Sequence, residues 1–158
     1  MPEATTRDLF QQELLDLLKE TFEETQGIYL DRGTSIFETL AAFTAAQASK
    51  QLSEAGATVA GHTEHMAYYL EVLRTGITGE TIESVDWQSS WRIQSVSDEA
   101  WLILQDRLRT AYQETIRAIR AHEEWKGEDD LGGALAMLAH SASHLGAIRH
   151  AIASGQLK

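Results

Sequence analysis

After Pro2 the chain contains no second proline. The strongest helix breaker is therefore missing from everything that follows, and apolar side chains recur there at helical spacing. Leu9, Phe10, Leu14, Leu17, Leu18 and Phe22 make one stripe, with Asp8, Gln11, Gln12, Asp16 and Glu20 opposite. This first helix is capped by Thr5 or Thr6, runs to about Thr25 and is stopped by Gly27. Ser35 and Glu38 have capping-box spacing ahead of Phe37, Leu40, Ala41 and Phe43, which predicts a short helix with at most one further turn over 45–51. Thr58 caps a helix expected to reach Thr75 and end at Gly76, with Val59, His62, Met66, Tyr69, Leu70 and Leu73 facing inward. Ser97 caps another, striped by Trp101, Leu104, Leu108, Tyr112, Thr115 and Ile119 and expected to continue to about Trp125. The last helix spans 130–154 and is closed by Gly155; Met137, Leu138, Leu145, Ile148 and Ile152 form its apolar arc.

Four substantial helices and one short one, with no alternating strand pattern, predict an all-α protein: an antiparallel four-helix bundle forming a single domain over 1–158. The connection over 76–96, between the second and third bundle helices, has no sustained period. Its Trp87 and Trp91, with Ile82, Val85 and Ile93, are too apolar for a freely solvated loop. They are expected either to cover a site or to meet a second copy in a homodimer. The acidic run before the last helix reads as a charge complement to that helix's N-terminus.

Composition narrows the chemistry. Twenty-four acidic against thirteen basic side chains give a net charge of −11, which repels nucleic acid and anionic membranes. The first residues lack the basic start and apolar run of a signal peptide, so a cytoplasmic location is expected. There is no cysteine, so a metal could take only imidazole nitrogen or oxygen ligands.

Such ligands are present. His140 and His144 lie about 40° apart around a helix axis and leave the same face. His62 and His65 are about 60° apart on an earlier helix, and periodicity does not choose between them. In a bundle, side chains from facing helices build metal sites, and that is where these two clusters would meet. His150 points away from its helix partners. Other metal and nucleophile patterns fail: no histidine has a glutamate three residues before it, as a di-iron bundle requires, and His122-Glu123-Glu124 lacks the second histidine of a zincin, so it reads as an exposed helix end. There is no phosphate-binding glycine loop and no Gly-x-Ser-x-Gly elbow.

The stretch Leu138 to Arg149, with His140, His144 and Gly146, resembles the hallmark of the DinB/YfiT-like superfamily of metal-dependent helical bundles, a His-x3-His followed by a small residue two positions on. Thr58 to Ala67 resembles that family's second-helix signature, one histidine just before an apolar-small pair, which selects His65 (followed by Met66-Ala67) over His62. The resemblance extends over nearly the whole chain. It implies a divalent metal held by His65, His140 and His144, with His62 in reserve and an open position for water or substrate. Zinc or nickel is the expected ion, with iron or manganese as alternatives. It also implies a dimer and a small-molecule substrate such as a low-molecular-weight thiol. The expected function is that of a metal-dependent enzyme, either a hydrolase using metal-bound water or a small-thiol-dependent S-transferase. The alternative is a non-catalytic metal- or small-ligand-binding module of stress response. Glu64, Tyr68, Tyr69, Trp101 and Arg149 are candidate neighbours of the site, and none is assigned a catalytic role.

Overall fold

A computed structural model describes residues 6–53 and 56–157. The described chain is helical: α1 (Thr6–Phe22), α2 (Ile36–Ala41), α3 (Ala45–Ala48), α4 (Val59–Thr78), α5 (Asp98–Ala121) and α6 (Gly133–Ala153). A 3-10 turn at Ser89–Trp91 and a π turn at Glu128–Gly132 interrupt the connections. The nearest thing to a strand among the described residues is an isolated bridge between Gln51 and Thr58. No described helix is long and apolar enough to cross a membrane.

The N-terminal caps follow from local chemistry. Ser35 and Glu38 form both halves of the capping box of α2, and Thr44 with Gln47 does the same for α3. Thr58 Oγ1 accepts from Gly61 N at 3.0 Å, and Ser97 Oγ from Ala100 N at 3.2 Å. Helix ends depart more from expectation. α4 passes through Gly76 and stops at Gly79, which takes the left-handed conformation (φ 74°) that a C-cap favours. Gly76 instead permits contact, because a Cβ there would collide with the Asp129 carbonyl of the α5–α6 connection. α5 ends at Ala121, short of Trp125, and α6 begins at Gly133 rather than Asp130.

Two buried carboxylates account for the shortened ends. Glu20, expected on the polar side of α1, is fully buried and accepts from the backbone N–H groups of Gln26 (3.0 Å), Ile28 (2.8 Å), Tyr29 (2.6 Å) and Leu30 (2.6 Å). The chain after Phe22 folds back around this carboxylate instead of continuing the helix to Thr25. Burial opposes ionisation of Glu20, yet the four donors outweigh it and leave its pKa below the ordinary value. Asp130 does the same at the other connection. It is buried, and it accepts from the N–H groups of Lys126 (2.7 Å), Gly127 (2.8 Å) and Leu131 (2.6 Å) and from His122 Nε2 (3.0 Å). Those donors overcome the burial penalty and hold its carboxyl well below the usual range. His122 is thus not an exposed helix end; its ring lies between Trp125, 4.5 Å away, and Asp130.

α4 packs on both α5 and α6, and α1 lies against α5 and α6. Leu14, Leu18, Phe22, Met66, Leu70, Leu108, Ile119, Met137 and Ile148 fill the space between them. Ile152, expected in this core, is 38% exposed instead. Tyr112 of α5 stacks on Phe22 of α1 at 4.7 Å and donates its hydroxyl to Glu23 at 2.8 Å. Arg107 of α5 grips α4 twice, forking onto Glu71 (3.0 and 2.8 Å) and reaching Glu64 with Nη1. Contacts of α4 with the α5–α6 connection and with α6 run from Gly76 beside Asp129 to His65 beside His140 and His62 beside His144.

Replacing Glu20 with alanine should cost on the order of 2–4 kcal/mol, because four buried N–H groups lose their acceptor together. Urea unfolding at neutral pH measures it. Since the folded pKa of Glu20 lies below its unfolded value, its contribution is present above about pH 4.5 and is lost as pH falls through the folded pKa. The gap between wild type and variant should therefore narrow in acid.

Candidate metal centre

Two helices bring four histidines together. His62 and His65 occupy the first turns of α4, and His140 and His144 the middle of α6. One nitrogen from each of His65, His140 and His144 can be chosen so that all lie within 4.8 Å of one another. His144 Nε2 is 2.9 Å from His140 Nε2, while its Nδ1 is 2.7 Å from His62 Nδ1. The ring centroid of His65 is 4.9 Å from that of His140 and 5.1 Å from that of His144. His65 is buried and the other three are half-buried, while His150 faces solvent as its helical position requires.

The donor set fits a divalent ion. A metal–nitrogen bond of about 2.0–2.1 Å puts ligand nitrogens about 3.0–3.4 Å apart, depending on the angle between them. The His140–His144 edge is already close to that span, and a His65 nitrogen lies within 4.8 Å of both. The rings also carry the right charge. Burial, reinforced by mutual repulsion among the rings, pushes His62 and His140 down to about 4 and His144 to about 3. Burial lowers His65 as well. All four are neutral at physiological pH, with one lone pair each, as metal ligation requires.

A strap formed by residues 86–96 lies over this cluster. Trp91 stacks on His65 with ring centroids 4.1 Å apart, and its edge meets His62 at 5.4 Å. Trp87 leans on Tyr68 and Tyr69 at 5.6 and 5.4 Å, and Tyr69 itself lies flat on His140 at 3.6 Å. The strap is tied down along α4. Tyr68 Oη accepts from Asp86 N at 2.9 Å, and Gln94 Oε1 accepts from Thr58 N at 3.1 Å. Gly61 leaves the room for this, because a Cβ there would sit 3.1 Å from the Ile93 carbonyl and closer still to the Gln94 amide. Of the two expectations for this segment, covering the site describes Trp91. Ile82, Val85 and Trp87 remain 36%, 41% and 41% exposed.

Ser90 gives the strap a chemical role. Its Oγ is 2.7 Å from the Trp87 carbonyl, which can only accept, so the hydroxyl hydrogen points there. The same oxygen is 2.6 Å from His65 Nδ1 and must accept from it. His65 therefore carries its proton on Nδ1 and keeps the Nε2 lone pair free, the arrangement by which outer partners fix the tautomer of a ligating histidine. Nothing in the sequence marks Ser90 among the serines, because its partner lies 25 positions away and the contact exists only once the strap is laid down.

The other sequence candidates are placed differently. Tyr69 touches the cluster, and Tyr68 reaches it only through Trp87. Glu64 points to Arg107 on α5, and Trp101 donates from Nε1 to the Phe43 carbonyl at 2.9 Å, tying α5 to the α2–α3 connection. A cleft of about 620 Å³ between the end of α4 and the α5–α6 connection is lined by His122, Lys126 and Asp130 and by none of the four clustered histidines. Compared with protein-family profiles, curated proteins and solved structures, the chain finds no match.

Two outcomes follow from the geometry. Ser90→Ala should leave the helices intact and weaken metal affinity by about 10–100-fold, read by chelator competition. The histidine pKa values lie below the unfolded value of 6.5, so the unfolded chain binds more protons in the interval between. The metal-free protein should therefore lose stability as pH falls from about 6.5 towards 5, above the range where carboxylates titrate. The dependence should flatten in His140→Leu with His144→Leu, measured by urea unfolding.

Proposed function

We propose that this protein binds one divalent metal ion through His65, His140 and His144 and is a metal-dependent helical bundle of the DinB/YfiT-like kind. The single observation that carries the metal reading is the convergence of three neutral imidazoles, from two helices, within 4.8 Å. The bundle reading treats α1, α4, α5 and α6 as four antiparallel helices and draws on the order of contacts between α4 and α6. Imidazole donors suit zinc, nickel, copper and iron, and of these zinc or nickel is the ion proposed.

The proposed activity is that of a hydrolase or a small-thiol-dependent transferase acting on a small molecule in the cytoplasm. When bound, the ion would supply a Lewis acid that lowers the pKa of a coordinated water or thiol. The chain's own contribution is to hold the imidazoles in one tautomer, keep them uncharged and limit water with Trp91. A non-catalytic binding module is the second reading, favoured by the stacking of Trp91 and Tyr69 directly on two of the ligand rings. A homodimer is also proposed, formed through the exposed Ile82, Val85 and Trp87.

Elemental analysis of protein purified without chelator should give one zinc or nickel ion per chain, and His140→Ala with His144→Ala should abolish it. Substoichiometric metal in wild type, or metal retained in that variant, overturns the reading. Stripping the ion separates the two functions. An intact helical fold that loses small-ligand binding supports an active site, whereas loss of the fold supports a structural ion. Sedimentation of wild type beside Val85→Ser with Trp87→Ser tests the dimer.

A further inference from the structure

His62 is the one clustered histidine that the three-ligand reading leaves unused. Its Nδ1 is nevertheless 2.7 Å from His144 Nδ1, and His144 in turn meets His140 Nε2 through its own Nε2 at 2.9 Å. Resting on the reading of this cluster as a metal centre, we propose that His62 is a positioning residue, the acceptor that fixes the tautomer of His144, and not a fourth ligand.

A neutral imidazole carries one N–H and one lone pair. His144 shares both of its nitrogens, so the chain of three rings has only two consistent settings. In one, His62 donates to His144 and His144 donates to His140. In the other, His140 donates to His144 and His144 donates from Nδ1 to His62. An ion between the facing Nε2 atoms of His140 and His144 needs a lone pair on each, which places the His144 proton on Nδ1. The atom 2.7 Å away, His62 Nδ1, must then accept it, and His62 carries its own proton on Nε2. Ligation by His62 fails in either form. Through Nε2 it would leave an N–H on Nδ1, aimed at the N–H of His144. Through Nδ1 it would take away the acceptor that His144 requires. His62 is half-buried against Trp91, so water is a poor substitute for that acceptor.

Ser90 and His62 thus perform matched tasks on the two helices. Ser90 accepts from His65 Nδ1, and His62 accepts from His144 Nδ1. Each leaves an Nε2 lone pair for the ion. The role explains why a second imidazole stands three residues before His65 without enlarging the ligand set.

The test uses the full chain loaded with zinc, with chelator competition for affinity and nitrogen-detected histidine NMR for tautomers. Wild type should bind one zinc, with His144 protonated on Nδ1 and His62 on Nε2. His62→Ala should keep one zinc per chain but bind it about 10–100-fold more weakly. His62→Asn, whose side-chain oxygen can stand where Nδ1 stood, should recover affinity to within about threefold of wild type and restore the His144 signature. A metal-shifted His62 nitrogen, complete loss of zinc in His62→Ala, unchanged affinity in that variant, or an asparagine variant as weak as the alanine one would each overturn the proposal while leaving the three-histidine centre standing. Absence of zinc from wild type would overturn the metal centre itself, and this role with it.

Discussion

The structure depends on bringing four imidazoles out of water between α4 and α6. Buried polar groups are costly unless each finds a partner. Here the partners are largely one another: His62 to His144, His144 to His140, and His65 to Ser90. That mutual dependence fixes the rotation of α4 against α6, because turning either helix would leave ring nitrogens facing apolar side chains. Low dielectric also keeps the rings uncharged, since protonating one would place a cation among three close neighbours. A cluster held neutral, with its nitrogens turned towards one another, is therefore also suited to a cation.

The surrounding frame holds that geometry with charges placed at connections. Glu20 and Asp130 are both buried, and each gathers backbone N–H groups from a turn. Among the described residues, neither pairs with lysine or arginine. Asp130 closes the turn that delivers α6 against the end of α4, and so sets where along α4 the pair His140 and His144 arrives. Arg107 holds α5 to the opposite side of α4 through Glu64 and Glu71. α4 is thereby gripped on one face by ion pairs and on another by imidazoles.

The strap completes the centre by an unusual division of labour. Its Trp91 covers His65, as Tyr69 of α4 covers His140, while its Ser90 hydroxyl sets a tautomer. The short helix α3 supports it from its C-terminal end: Ser49 Oγ accepts from Val96 N at 3.0 Å, just before α5 begins. The strap's outer side keeps apolar groups in solvent, so the segment that shields the centre also presents a surface.

The sequence alone determined the helices and the ligand candidates, because both rest on short-range periodicity. Capping chemistry placed the starts of α2, α4 and α5 to the residue, and spacing of four put His140 and His144 on one face before any packing was known. Helix ends were less legible. Glu20 reads as polar surface and Gly76 as a stop signal, but a buried carboxylate collecting distant N–H groups and a glycine making room for a carbonyl are properties of the folded chain. The choice between His62 and His65 was likewise closed to periodicity, since 60° of helix rotation lies within what a neighbouring helix can accept. What the tertiary structure decided is their partners: it seats Ser90 on His65 Nδ1 and His144 Nδ1 on His62 Nδ1, contacts between elements far apart in the chain that helical spacing does not encode.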